Sequence, residues 1–119
     1  MLWRLKFGQK AEKEAWKFLK RNGYRLRHRN YRNKLGEIDL IVQKDDVIVF
    51  VEVKALVHHD YFQAEDHYDY KKRKKQALLA RSFLMSLSTE YQARFDLITV
   101  VKKADDFFIE HYENVIDES

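Results

Sequence analysis

Cysteine and proline are both absent from this 119-residue chain. The first absence excludes a disulfide framework, a zinc knuckle and a thiol nucleophile, and makes a reducing compartment comfortable. The second, with no repeat or low-complexity segment, leaves no proline-rich linker to divide the chain, so residues 1–119 are read as one domain around one core. Long apolar runs are missing as well. Nothing approaches the roughly 18 residues of a membrane span, and the N-terminus has no signal-peptide core. The expectation is a cytoplasmic protein with no membrane partner.

What is present is charge, unevenly placed. The net charge is +4, and hydrophobic residues make up 45% of the chain, enough for a packed interior beneath an ionic surface. Residues 1–35 hold twelve basic and two acidic side chains, a net +10; residues 36–103 balance; residues 104–119 hold six acidic and no basic ones. A basic N-terminal third suggests a face for a polyanion. A solvated basic surface balanced by an acidic tail is the alternative.

Apolar positions at Ala11, Ala15, Phe18 and Leu19 have helical spacing, so a first helix is expected over Gln9–Asn22, with Gly23 placed to end it. Tyr24–Tyr31 alternates as a strand with Arg25, Arg27 and Arg29 on one face. That face would be a phosphate ladder or, favoured slightly, the charge that keeps an edge strand from pairing. Two strands follow at 36–43 and 47–54, then a loop over Ala55–Glu65. A helix is expected from Asp66 to Leu87, with Ala77, Leu78, Ala80, Leu84 and Leu87 in the core. Phe95–Val101 and Phe107–Tyr112 complete the strands. The order α-β-β-β-α-β-β implies an α/β fold, a mixed sheet with flanking helices.

The chemistry lies in Gly36-Glu37-Ile38-Asp39-Leu40-Ile41 and Val49-Phe50-Val51-Glu52-Val53-Lys54. Both place ionisable groups inside strands that otherwise look buried, where an uncompensated charge costs several kcal/mol. An even-length turn puts Asp39 on the face of Glu52 and Lys54, because side chains alternate with period 2. With Lys44 to Val47 as the loop, Asp39 lies across from Glu52 and Glu37 across from Lys54. Facing carboxylates repel. A divalent cation would compensate them, and all-oxygen ligands suit Mg²⁺. Asp39 and Glu52 are the candidate metal ligands, and Lys54 the group that orients a water or stabilises charge at phosphorus. A chance spacing with a solvated Glu37–Lys54 pair is the rival reading.

The Asp and Glu-x-Lys on adjacent strands resemble the PD-(D/E)xK restriction-endonuclease-like superfamily. More closely, GEIDLI, VFVEVK and the later Arg94-Phe95-Asp96 are similar to the YraN-like family of uncharacterised bacterial proteins, with the likeness running from Gly8-x(3)-Glu12-x(2)-Ala15 through Asn22-Gly23-Tyr24 nearly to the chain end. That family is similar in layout to archaeal Holliday-junction resolvases, whose first helix supplies a metal-site glutamate. The matching residue is Glu12, which could otherwise simply favour its helix dipole. The resemblance implies a restriction-endonuclease-like sheet, catalytic Asp39, Glu52, Lys54 and Glu12, Mg²⁺ with Mn²⁺ as substitute, and cleavage of DNA, including branched or recombination intermediates. One departure concerns substrate grip: family members often follow Glu-x-Lys with a small polar residue and an arginine, where this chain has Ala55 and Leu56.

Lys71, Lys72, Arg73, Lys74 and Lys75 fall early in the second helix, where positive charge opposes the macrodipole, which suggests phosphate contact. The resemblance makes Lys72, near a lysine that the YraN-like family often carries at this helix, the preferred single contact; a solvated basic face is the alternative. Lys71, Arg73, Lys75 and Arg27 are further candidates for nucleic-acid binding. His58, His59, Asp60 and His67 match no strong zinc pattern. Rival functions are a nucleic-acid-binding module of the same fold with a recruitment or structural role, and a domain whose acidic tail docks a basic partner. Assembly as a homodimer stays open.

Overall fold

The computed structural model describes residues 2–57 and 70–115, apart from the side chains of residues 2–5, 57 and 70. The elements are α1 (Leu2–Arg21), β1 (Arg25–Asn33), β2 (Gly36–Lys44), β3 (Val47–Val57), α2 (Tyr70–Met85), β4 (Gln92–Lys103) and β5 (Asp106–Tyr112). Their order is the expected one. They form one five-stranded mixed sheet, ordered β1-β2-β3-β4-β5, in which only β3 and β4 are parallel.

Each face of the sheet carries one helix. Leu40, Val42, Val49, Val51, Ile98 and Val100 pack with Ala11, Ala15 and Leu19 of α1. Ile41, Ile48, Phe50 and Phe95 pack with Leu79, Ala80 and Phe83 of α2. β3 is therefore buried on both faces, which is why Val47–Val53 reads as a nearly continuous apolar run.

Helix α1 begins seven residues before the expected start at Gln9. Its early turns are held from outside: Phe7 packs on Phe107 at 6.3 Å, and the Lys10 ammonium lies 5.3 Å above the same ring. It ends as expected. Gly23, at φ 91°, donates to the Lys20 carbonyl at 3.2 Å, and Tyr24 donates to the Leu19 carbonyl at 3.0 Å. This pair of bonds is the Schellman closure, which favours glycine at the left-handed position.

Several expected boundaries shift. Ala55–Val57 is strand, not loop, because β4 offers a parallel partner through Lys102 and Leu56 packs on Val101. The remainder of the expected loop, residues 58–65, and the expected helical start at Asp66–Asp69 lie outside the described residues, as do His58, His59, Asp60, His67 and the tail from 116 to 119. Within α2 the buried stripe is Gln76, Leu79, Ala80 and Phe83, while Leu78 is 50% exposed. The stripe is set one residue away from Leu78 by the position of the sheet.

The one-faced arginine ladder on β1 does not form. A register shift between Leu26 and His28 makes Arg27 a bulge; Arg25 then pairs with Gln43 and Arg29 with Leu40, placing them on opposite faces. β1 remains an edge strand studded with charge, the usual protection against stray pairing.

Candidate metal and phosphate site

β2 and β3 form a hairpin whose last pair is Lys44–Val47, so the turn is the two residues Asp45-Asp46, with Asp45 at φ 55°. The register is the expected one, but the ladder stops at Leu40–Val51. The expected pairs Asp39–Glu52 and Glu37–Lys54 are therefore not ladder pairs. Instead the Asp39 carboxylate accepts the Val53 amide through Oδ2 at 2.8 Å.

A matching distortion lies on β1. Arg29 pairs with Leu40 and Tyr31 with Ile38, but Asn30, left-handed at φ 50°, interrupts the ladder opposite Asp39. Tyr31 and Ile38 both join the α2-side core, although Leu40, two residues after Ile38, faces α1. The alternation thus slips on both strands at the same level. In the amide orientation that satisfies both its ends, Asn30 donates to Glu12 Oε1 at 3.1 Å and Glu37 Oε1 at 2.9 Å. Glu12 is joined to the sheet through this amide.

Where the strands separate, an open pocket of about 520 Å³ is lined by Lys34, Leu35, Gly36, Glu37, Asp39, Glu52, Lys71, Lys72, Lys75 and Gln76. Lys34 arrives on the tip of the β1–β2 hairpin, where the Asn33 side chain closes the turn by accepting the Leu35 amide at 2.7 Å. Glu52 is 5% exposed, and α2 engages both of its oxygens. Lys72 Nζ lies 2.5 Å from Oε1, and Gln76 Nε2 donates to Oε2 at 2.7 Å. Gln76 also donates to the Glu37 carbonyl at 3.2 Å. Lys54, two residues along β3 from Glu52, has its ammonium 3.8 Å from Oε1.

These positions have electrostatic consequences. Burial pushes the Asp39 carboxyl up to about 7; Glu52 and Glu12 add to the rise, and the Val53 amide and Lys72 oppose it. Glu12 is raised by burial, then by Glu37 and Glu52, against the pull of Arg29. For Lys72, burial acts downward but is outweighed by Glu52 and Asp39, so its pKa is raised and the group stays an ammonium. Burial, reinforced by the neighbouring carboxylates, thus disfavours a further negative charge at Asp39. The donors are all oxygens, the set that suits a hard divalent ion.

The structure places the remaining sequence candidates less uniformly. Lys71, Lys72 and Lys75 line the pocket, whereas Arg73 does not. Arg27 belongs elsewhere: its guanidinium donates to Gln43 Oε1 at 2.9 Å and lies 5.8 Å from the Tyr91 ring centre, consumed by the bulge it makes. Sequence reasoning passed over Gln76, Asn30 and Lys34. Gln76 carried a signal, since it follows Lys72 by four residues and so shares its helix face. Asn30 carried a weaker one, asparagine being among the few non-glycine residues at ease in the left-handed region.

A second ionisable group lies on β4, β5 and the residue that follows β5. Asp96, His111 and Glu113 each bring a ligand atom within 4.8 Å of the others and could hold a metal ion. Asp96, at 0% exposure, is however already engaged. Its Oδ1 accepts from Arg94 Nε at 2.9 Å and the Asn114 amide at 3.0 Å, and its Oδ2 from Arg94 Nη2 at 3.0 Å with His111 Nε2 at 2.6 Å. Burial would raise the Asp96 pKa, but His111 and Arg94 outweigh it and hold it low. An ion held by these three groups would have to replace at least one of the hydrogen bonds that Asp96 accepts, and Arg94 also donates to the Tyr24 hydroxyl at 2.8 Å. The network ties the sheet to the end of α1.

A family model described as "Uncharacterised protein family UPF0102" matches residues 11–100, a span that includes every pocket residue. A UPF0102 protein of Thermodesulfovibrio yellowstonii is 35% identical over 111 residues, covering 93% of this chain and 96% of that protein. One from Carboxydothermus hydrogenoformans is 34% identical over 119 residues, covering 96% and 98%. One from Natranaerobius thermophilus is 42% identical over 97 residues, covering 79% and 82%.

Proposed function

The chain belongs to the uncharacterised protein family UPF0102, and we propose that it is a metal-dependent nuclease hydrolysing phosphodiester bonds in DNA, with branched or recombination intermediates among its substrates. The observation that carries this reading is the pocket in which Asp39 and Glu52 share the wall with Lys34, Lys71, Lys72 and Lys75. Carboxylates beside lysines suit a cation and a polyanion together. The likeness to PD-(D/E)xK nucleases and archaeal resolvases belongs to the same proposal.

Asp39 and Glu52 would hold Mg²⁺, or Mn²⁺ in its place, with Glu12 and Glu37 adding negative charge behind them. The ion, when bound, would neutralise charge developing at a phosphate and lower the pKa of a water. Lys54 serves the reaction from β3: its ammonium orients the attacking water or stabilises the charge that builds on phosphate oxygens. Lys34, Lys71 and Lys75 position the backbone, which fixes register without reading sequence.

The reading is tested with labelled linear, flapped and four-way DNA, and RNA, incubated with Mg²⁺ or Mn²⁺ and either wild type or Asp39→Asn. Wild type is expected to cut at least one DNA and the variant none. A second reading, a binding module with a recruitment role, is favoured by one detail. Leu56 is buried against Val101, so β3 offers no cationic side chain just past Lys54. If wild type binds branched DNA with metal present yet cuts nothing, that second reading takes over.

A further inference from the structure

We propose that Lys72 is the resident cation of the metal-free site, and that an arriving metal ion displaces it from Glu52 and frees its ammonium for the nucleic-acid backbone. Metal and nucleic acid then bind with positive coupling. The inference rests on the pocket being a metal and nucleic-acid site, as proposed above.

The two groups that α2 places on Glu52 are held differently. Gln76 is 2% exposed and has a second acceptor in the Glu37 carbonyl. It is fixed to the strand pair. Lys72 is 42% exposed at its side chain, and its ammonium sits at the end of a flexible four-carbon stem. A divalent ion taking Oε1 meets an ammonium 2.5 Å from that oxygen, and two cations do not share it at such a distance. Lys72 is the partner that can leave. It lines the pocket beside Lys71 and Lys75, so a released ammonium remains where a phosphate would lie. Lys54 is a natural control, because its ammonium is 3.8 Å from the same oxygen, too far to occupy it.

The coupling follows from this exchange. Metal binding turns Lys72 from a carboxylate partner into a phosphate partner, and a phosphate that engages Lys72 vacates Glu52 for the metal. Linkage requires the two effects to be equal.

The test is calorimetric titration of Mn²⁺ into the full chain as wild type, Lys72→Met, Lys54→Met and Asp39→Asn. Lys72→Met is expected to bind Mn²⁺ at least about fivefold tighter than wild type, the lower end of ordinary coupling between sites, and Lys54→Met to gain clearly less. Asp39→Asn should lose the binding. Melting in EDTA keeps the result interpretable: Lys72→Met should melt below wild type, and Mn²⁺ should raise its melting temperature by more. In a Lys54→Ala background, in which DNA is expected to survive, Mn²⁺ should tighten binding of a labelled duplex, and adding Lys72→Met should shrink that gain. Equal Mn²⁺ affinity in wild type and Lys72→Met overturns the inference, as do equal gains in the two lysine variants, which would show charge removal alone, or a duplex gain that Lys72→Met leaves intact. Mn²⁺ binding to none of the proteins would overturn the pocket reading itself.

Discussion

The Asp39 carboxylate accepts the Val53 amide at 2.8 Å, one step beyond the last ladder pair of the strands that carry them. The bond holds the open end of the hairpin together after the ladder ends, and fixes a carboxylate that would otherwise turn to solvent. The same residue is thus both a backbone cap and a candidate metal ligand.

Asp39 makes stability depend on pH in a defined direction. Its carboxyl is raised from about 3.8 to about 7, so its contribution is fully present below pH ~4 and is lost as pH rises through 7. The slope reaches about 1.4 kcal/mol per pH unit for one proton. In EDTA, Asp39→Asn is expected to flatten this dependence and to melt at or above wild type near pH 7. Denaturant titrations at pH 5, 6 and 7.5 measure it; a variant that keeps the wild-type slope would remove Asp39 as its source.

Lys54→Ala separates chemistry from binding. The ammonium is not a metal ligand, so the variant is expected to retain Mn²⁺ and DNA affinity while cleavage falls about a hundredfold or more. Glu52→Gln should lose both metal and cleavage. Single-turnover assays beside calorimetry decide, and parallel loss of Mn²⁺ affinity and cleavage in Lys54→Ala would make the lysine structural.

The lysines around the pocket predict a salt signature. Each phosphate contact contributes roughly 0.7 to 0.9 to the slope of log K against log salt. Lys34→Ala and Lys75→Ala should each lower that slope by about one contact, whereas Arg27→Ala should leave it unchanged, because Arg27 is spent on Gln43 and Tyr91. Fluorescence anisotropy between 50 and 200 mM salt gives the slopes. A reduced slope for Arg27→Ala would return β1 to the binding face.

Asp96 is expected to matter for stability alone. Asp96→Ala removes four hydrogen bonds and takes from the partly buried Arg94 its buried carboxylate partner, leaving it Tyr24 and Glu113, a loss of about 3 kcal/mol. Because the Asp96 pKa is held below its ordinary value, the stability it supplies is present above pH ~4 and disappears as pH falls through the folded pKa. Urea midpoints for wild type and Asp96→Ala should therefore converge in acid. Zn²⁺ or Mn²⁺ that raised the wild-type midpoint while sparing the Asp96→Ala midpoint would instead identify the group as an ion site.

Much of this architecture was legible because the relevant signals are local. Val47–Val53 and Ile38–Val42 announce a buried strand pair, and a two-residue turn fixes the register that brings Asp39 and Glu52 to one end. Gly23 announces the end of α1. The rest depends on partners distant in sequence. The arginine alternation of β1 is real in the chain, yet one bulge at Arg27 cancels it. The α2 stripe depends on which side the sheet approaches, so helical spacing alone puts Leu78 in the core and misses Gln76. The slip at Asn30 and Asp39 needs both strands at once, and neither alone shows it.

The parallel pairing of β3 with β4 bears on how the protein is made. β3 cannot acquire its second neighbour until Gln92–Lys103 has been synthesised, after Asp39, Glu52 and Lys54 in the order of the chain. A copy interrupted before residue 70 holds those three side chains on an unfinished sheet, without Lys71, Lys72, Lys75 or Gln76. Under the function proposed above, an incomplete copy has the carboxylates but, of the lysines that line the pocket, only Lys34. On that proposal, the order of the chain withholds most of the substrate grip until α2 has been made.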